Sequence, residues 1–237
     1  MSSPDPDASA LRWTVPEVVG LTAVAILISL VAGVAFVVPV LALGFDLGTT
    51  PVLVGATAAG QVGLLLVAYA FVRRRTLSVR VARPSRREVG EVVGWTLVAL
   101  VVAVGASALL SAAGLVPESV IQTAAERDPT ILLALALLSI VLVAPAEELL
   151  FRGAIQGRLR QRYGPKPAIA GASVLFGSVH LTNFTGALPP ILATIALLTA
   201  VGAVFGVAYE RTGNLAVPIA VHATYNLVLL SVSFLSL

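Results

Sequence analysis

The chain has two histidines, His180 and His222, and both fall inside stretches that are otherwise apolar. Three short segments gather most of the charged and imidazole side chains found in such stretches. They are Ala144-Pro145-Ala146-Glu147-Glu148-Leu149-Leu150-Phe151-Arg152, Phe176-Gly177-Ser178-Val179-His180 and His222-Ala223-Thr224-Tyr225-Asn226. An ionisable group in an apolar segment is expensive to keep and reads as functional by default. A carboxylate and a neutral imidazole can together hold a water and take its proton. A second imidazole and an amide can donate hydrogen bonds to a developing oxyanion. Brought together, such groups hydrolyse an amide bond without a covalent intermediate.

Spacing within each segment limits what the groups can do. Glu148 and Arg152 are four residues apart, share a helix face and can pair, with the acid on the favoured N-terminal side. Glu147 is turned about 100° from Glu148 and is left to point elsewhere. Pro145 cannot donate to the carbonyl of Val141, which predicts a bend there. His222 and Asn226 lie one turn apart on one face, and Pro218 is expected to loosen their helix as well. Each segment has a bland reading. Glu148 and Arg152 fit a snorkelling interfacial pair, and a single intramembrane histidine or a His/Asn pair fits interhelical glue. Two carboxylates, two imidazoles and an amide in one apolar chain exceed what glue requires.

Other chemistries find less support. Cysteine is absent, which removes thiol nucleophiles, disulfides and thiolate metal sites. Gly171-Ala172-Ser173 is followed by Val174 rather than the Gly of a rhomboid-like serine motif, and neither HExxH nor GxGD occurs. Two histidines and a glutamate are plausible donors for a divalent metal such as zinc. Without HExxH-type spacing, the expectation is a site with no cofactor.

The elements that must position these groups are membrane helices. Of 237 residues, 58% are hydrophobic and 11% charged, with a mean hydropathy of +0.99. Soluble domains carry about 25% charged residues. The expected fold is all-α, a polytopic transmembrane bundle of about seven spans, with six to eight allowed. Apolar stretches run over Val15–Leu43, Pro51–Val72, Val89–Leu115, Thr130–Arg152, Pro167–Gly186, Leu188–Tyr209 and Asn214–Leu237. Each approaches the roughly 20 residues a span needs. The fifth is the weakest, diluted by Thr182, Asn183 and Gly186, and reads as a short or tilted helix. GxxxG spacings at Gly90/Gly94, Gly153/Gly157 and Gly202/Gly206 read as packing seams.

Arginines set the orientation. The second connection holds Arg73, Arg74, Arg75, Arg80, Arg83, Arg86 and Arg87, and the fourth holds Arg152, Arg158, Arg160, Arg162 and Lys166. Arg12 precedes the first span and Arg211 follows the sixth, whereas the alternate connections carry only Arg127. This asymmetry predicts a cell-membrane protein with a cytoplasmic N-terminus and an external C-terminus. The Arg-rich connection reads as a topology determinant, with recognition of anionic lipid as the lesser reading. The polar start lacks a basic n-region, so the first apolar run reads as a retained span behind a short tail. With the basic connection starting at Arg152, Glu147 would lie about 8 Å from it along the helix.

EExxxR at Glu147–Arg152, FxxxH at Phe176–His180 and HxxxN at His222–Asn226 resemble the CPBP family in order, helix placement and spacing. That family includes the CAAX prenyl endopeptidases and bacteriocin-processing or abortive-infection membrane proteins, and the likeness covers about the last 110 residues. It implies a membrane-embedded endopeptidase with a cytoplasm-facing site inside a helical bundle. In it Glu147 and His180 would act on the water and His222 and Asn226 would form the oxyanion site. Glu148, Arg152 and Phe176 would be supporting. The implied partners are the lipid bilayer and a protein or peptide substrate, CAAX-like or otherwise lipidated, with no nucleic acid. The expected organisation is a disordered cytoplasmic tail at 1–12, N-terminal helices over 13–125 with an Arg-rich cytoplasmic loop at 73–91, and a catalytic core over 129–237. Two other functions compete: a non-catalytic immunity or adaptor protein on the same scaffold, and a transporter using Glu and His as a proton relay. No inverted repeat supports the transporter.

Overall fold

A computed structural model of the chain describes residues 14–237; the tail expected at 1–12 lies outside them. Helices dominate: α1 (Thr14–Ala42), α2 (Thr50–Arg74), α3 (Arg86–Ala112), the short α4 (Val120–Ala125), α5 (Thr130–Tyr163), α6 (Pro165–Ser178), α7 (Leu188–Thr212) and α8 (Ala216–Leu235). Six of these, all but α4 and α6, are long and apolar enough to cross a membrane. The fold is an all-α bundle, as composition demanded. The weak fifth stretch forms α6, only 14 residues long, and continues into a 3-10 turn at Val179–Asn183. Two-residue strands, β1 (Glu118–Ser119) and β2 (Phe184–Thr185), pair antiparallel with Glu118 opposite Thr185.

Local sequence accounts for the element ends. Ser85 and Glu88 form a reciprocal capping box that starts α3, so the basic stretch 73–91 divides between two helix ends and a short loop. Gly213, at φ 59°, closes α7 in the left-handed conformation that only glycine adopts cheaply. Gly164, at φ 76°, makes the corresponding break between α5 and α6, with Pro165 opening the next helix.

The Arg-rich end of the bundle is tied by ion pairs. Glu17 of α1 meets both Arg75 and Arg158, Arg160 pairs with Glu210 at 2.6 Å, and Arg211 approaches Glu91 at 3.5 Å. Fully buried Asn214, in the α7–α8 turn, stitches the basic loop down. Its Oδ1 accepts from Ala82 N and its Nδ2 donates to Ala82 O, both at 3.0 Å, while Leu215 N donates to Arg80 O at 2.8 Å. At the opposite, Arg-poor end, Asp128 accepts from Thr50 Oγ1 and Thr130 Oγ1, each at 2.6 Å. Those hydrogen bonds, with Thr130's backbone N–H, hold the Asp128 carboxyl below the usual range.

Two sequence expectations change. Gly202 and Gly206 are close-approach positions: a Cβ on Gly202 would lie 2.9 Å from the Phe176 ring, and one on Gly206 2.9 Å from Gln156 Oε1. Gly153 likewise admits Val79. Gly90 and Gly94, however, have nothing within 4 Å of a built Cβ. That face of α3 turns away from the bundle, so the spacing permits an approach that no helix makes. Pro218 lies in the first turn of α8, where a backbone N–H has no intrahelical acceptor to lose, so it loosens nothing. Pro145 does perturb its helix: wide, π-type turns at Ser139–Val143 and Leu149–Gln156 flank Ala144–Glu148. Such bulges re-aim side chains and concentrate at functional sites.

Candidate active site

Helix α5 carries both carboxylates and passes Arg152 without ending, reaching Tyr163 sixteen residues beyond Glu147. The Glu147 backbone is therefore about 24 Å from the basic end of its helix, not 8 Å. Arg152 and Glu148 are both fully buried, so the snorkelling reading fails. They pair at 3.1 Å, Arg152 Nε to Glu148 Oε2, and the Nε–H is not aimed along the contact, which makes this a Coulombic pair. The Arg152 guanidinium also lies over the Phe176 ring, 5.3 Å from its centroid, a contact favourable for a desolvated cation.

The other carboxylate oxygen of Glu148 takes a hydrogen bond from His222 Nδ1 at 2.9 Å. A run of Arg152, Glu148 and His222 thus crosses from α5 to α8. Since the carboxylate accepts, Nδ1 carries the proton and the ring's Nε2 is the nitrogen left for other work. Phe205 stacks on His222 at 4.7 Å, and Phe176 meets it edge-on at 5.8 Å. These contacts fix the imidazole plane.

Glu147, rotated off that face as its position in the helix dictates, is also buried. Its Oε1 accepts from Gln61 Nε2 of α2 at 3.1 Å, and its Oε2 has no hydrogen-bond partner. His180 follows the end of α6, in the 3-10 turn, with Nδ1 2.7 Å from the Phe176 carbonyl oxygen. A carbonyl can only accept, so Nδ1 holds the proton and Nε2 keeps its lone pair. Phe176 also touches the His180 ring at 4.9 Å, so this one phenylalanine braces both histidines and the arginine. Asn226 Nδ2 donates to Ser139 Oγ at 2.8 Å, leaving the second amide N–H free of that contact.

Glu147, His180, His222, Asn226, Phe176, Gln61 and Ser139 all line one chamber of about 500 Å³. The sequence reading brought forward the first five and missed Gln61 and Ser139. Gln61 had a signal: it is the one side-chain amide within the apolar helix Thr50–Arg74, where an unpaired polar group is costly. Ser139 had none. Glu148 and Arg152 sit behind the chamber wall and act on it through His222. The wall also takes Leu53 and Thr57 from α2 and Val120 and Ile121 from α4, so residues 129–237 do not enclose the site alone.

Among the described residues no group of three His, Asp or Glu side chains is placed to hold a metal ion. His222 Nδ1 and His180 Nδ1 donate to Glu148 and to the Phe176 carbonyl, which leaves Nε2 as the remaining nitrogen of each ring.

Against known families, residues 129–228 match the one described as type II CAAX prenyl endopeptidase, Rce1-like. No curated protein and no solved structure gives a significant match. The matched region runs from the start of α5 into α8 and holds every motif residue named above.

Proposed function

With residues 129–228 forming an Rce1-like domain, of a family of CAAX-type intramembrane endopeptidases, we propose that this protein hydrolyses peptide bonds of membrane-associated protein substrates. Glu147 and His180 activate the water, and His222 and Asn226 receive the oxyanion. The observation that carries this reading is the pairing of free acceptors in one buried chamber. Glu147 Oε2 has no partner, and His180 keeps its Nε2 lone pair. Groups so placed hold a water by its two hydrogens.

In the first step the water oxygen bonds to the scissile carbonyl carbon and a proton passes to Glu147. The carbonyl π electrons move to oxygen, where His222 Nε2–H and the free N–H of Asn226 donate hydrogen bonds. The oxyanion role requires His222 to be protonated on both nitrogens. Glu148 Oε1 accepts from its Nδ1 in that form. Collapse re-forms the carbonyl and breaks the C–N bond, and the proton on Glu147 goes to the leaving amine. No covalent enzyme intermediate forms, and no net proton is gained by the protein. Phe176 and Gln61 are positioning residues, one bracing the imidazoles and the other holding the Glu147 carboxylate.

The test compares the proteome of host membranes carrying the wild-type protein with that carrying Glu147→Gln, which keeps volume and loses the proton acceptor. Uncleaved substrates should accumulate in the variant. The rate on any substrate so found should fall by about 10²–10⁴-fold, with thermal stability unchanged. A wild-type rate for purified Glu147→Gln refutes the assignment, and a phenotype indifferent to Glu147, His180 and His222 makes the protein an adaptor.

A further inference from the structure

One titratable side chain of the chamber has no part in the chemistry above. Tyr225 lines the chamber and is only 6% exposed, yet its hydroxyl makes no hydrogen bond among the described residues. Buried tyrosine hydroxyls usually have a partner, and one left without calls for an explanation. The other hydroxyls and amides of the lining differ. Thr57 Oγ1 is spent on the Leu53 carbonyl at 2.9 Å, Ser139 Oγ accepts from Asn226, and Asn183 is only half-buried. The Tyr225 ring itself is fixed. It meets Phe205 edge-on at 5.8 Å, and Phe205 stacks on His222 at 4.7 Å, so one phenylalanine holds both rings.

Helix geometry says where the hydroxyl goes. On α8 the chamber takes His222, Tyr225, Asn226 and Leu229, the i, i+3, i+4, i+7 stripe of one helix face. An aromatic side chain on a helix leans back over the turn before its own Cα. For Tyr225 that is the turn of His222. Its O–H is thereby carried toward the space that His222 Nε2 and the free N–H of Asn226 serve. We propose that Tyr225 is a third donor to the oxyanion, and so a catalytic residue of this site. The inference rests on the endopeptidase reading and lifts a condition from it. His222 donates from Nε2 only when both its nitrogens carry protons, whereas a phenol is a neutral donor that needs no such change. An alkoxide oxygen has room for this hydrogen bond beside those from His222 and Asn226. Tyr225 keeps its proton throughout. The carbonyl π electrons move onto oxygen as water adds, the phenol donates to the charge so formed, and the contact weakens when the carbonyl is restored. No bond of Tyr225 is made or broken. A donor idle in the free protein is available for charge that develops only in the transition state, where binding energy raises kcat.

The test is Tyr225→Phe, which keeps the ring against Phe205 and removes only the hydroxyl. Membranes of cells carrying it are compared with those carrying the wild type and Glu147→Gln. Polypeptides left uncleaved by Glu147→Gln should accumulate with Tyr225→Phe too. On a substrate so identified, purified Tyr225→Phe should lose about 10²–10³-fold in kcat, as for one oxyanion donor, with KM unchanged. Heated in detergent it should melt with the wild type, because no hydrogen bond inside the protein is lost. If Tyr225→Phe accumulates no more than the wild type while Glu147→Gln does, the proposal is overturned and the endopeptidase reading stands. A raised KM with kcat intact also overturns it, by making the hydroxyl a ground-state contact. So does a lowered melting temperature, which would give the hydroxyl a partner in the fold. If Glu147→Gln accumulates nothing either, the endopeptidase reading falls and this inference falls with it.

Discussion

Replacing Glu148 by Gln removes one charge from a place with no solvent to take its role. The amide keeps the volume of the acid, and its Oε1 can still accept from His222 Nδ1, so the change is confined to the field around Arg152. That guanidinium is fully buried, its counter-charge lies 3.1 Å away, and its terminal nitrogens have no hydrogen-bond partners. The Phe176 face remains, contributing at most about 2 kcal/mol to a desolvated cation. Breaking a buried pair by removing one partner costs about 3–5 kcal/mol, a large share of the roughly 5–15 kcal/mol that holds a domain together. Glu148→Gln is therefore expected to melt far below the wild type when purified protein is heated in detergent. Exchanging both partners, Glu148→Gln with Arg152→Met, removes the stranded charge and should recover most of the loss, since an apolar replacement of a whole buried pair is often neutral. Cleavage should not return with it, because His222 Nδ1 then faces a neutral amide in place of the carboxylate. If Glu148→Gln melts with the wild type, or the double variant is no more stable than the single one, the electrostatic account of this pair is wrong.

Gln61→Leu should lower kcat about tenfold or more with KM unchanged, by removing one hydrogen bond to a charged group, worth about 1.5–3 kcal/mol; equal changes in kcat and KM would mean a general disturbance of the chamber. Asn226→Ala should cost about 10²–10³-fold in kcat, as for one oxyanion donor. Ser139→Ala, which merely lets the amide rotate, should cost less, and the reverse order would move the oxyanion role away from Asn226. A Cβ on Gly177 would meet Thr199 Oγ1 and, at 2.8 Å, the Ile195 carbonyl oxygen. Gly177→Ala should accordingly push α6 from α7, displace His180 and destabilise by about 1–3 kcal/mol. Gly90→Ala and Gly94→Ala, facing open space, should instead gain up to about 1 kcal/mol each from helix propensity alone, as read by thermal unfolding.

What the sequence disclosed was the content of each helix; what it withheld was which helix each face meets. Hydropathy marked the six long helices, and the dilution at Thr182, Asn183 and Gly186 foretold the short fifth one. The i,i+4 rule found Glu148–Arg152 and separated Glu147 from both, because those relations are internal to one helix. Pairing of Glu148 with His222 joins residues 74 apart, and Glu147 with Gln61 joins residues 86 apart. Periodicity carries no information about such contacts. The same limit explains Gly90 and Gly94, whose spacing suits a neighbour that the packing of α3 against α7 and α8 places on its other side. The end of α5 was misplaced for another reason. Arg152 looks like the start of a basic loop because arginine rarely lies buried in a span, and here it does so only because Glu148 accompanies it.

Asn214 bears on the order in which the molecule can be built. Its hydrogen bonds to Ala82 span 132 residues, so the basic loop waits for all of them to be made before it can be fastened. His222 emerges only eight residues later, and with it the acceptor's partner for Glu148. The seven described helices before α8 must therefore form while the loop hangs free and the carboxylate of Glu148 has only Arg152 for company. Contacts of such long separation close late, so α8 serves as the key of the assembly: one element, arriving last, both fastens the outer end and completes the inner hydrogen-bonded run. A nascent chain stalled before residue 214 would present Glu147 and Glu148 without His222, the hydrogen-bond partner of Glu148, and without Asn226.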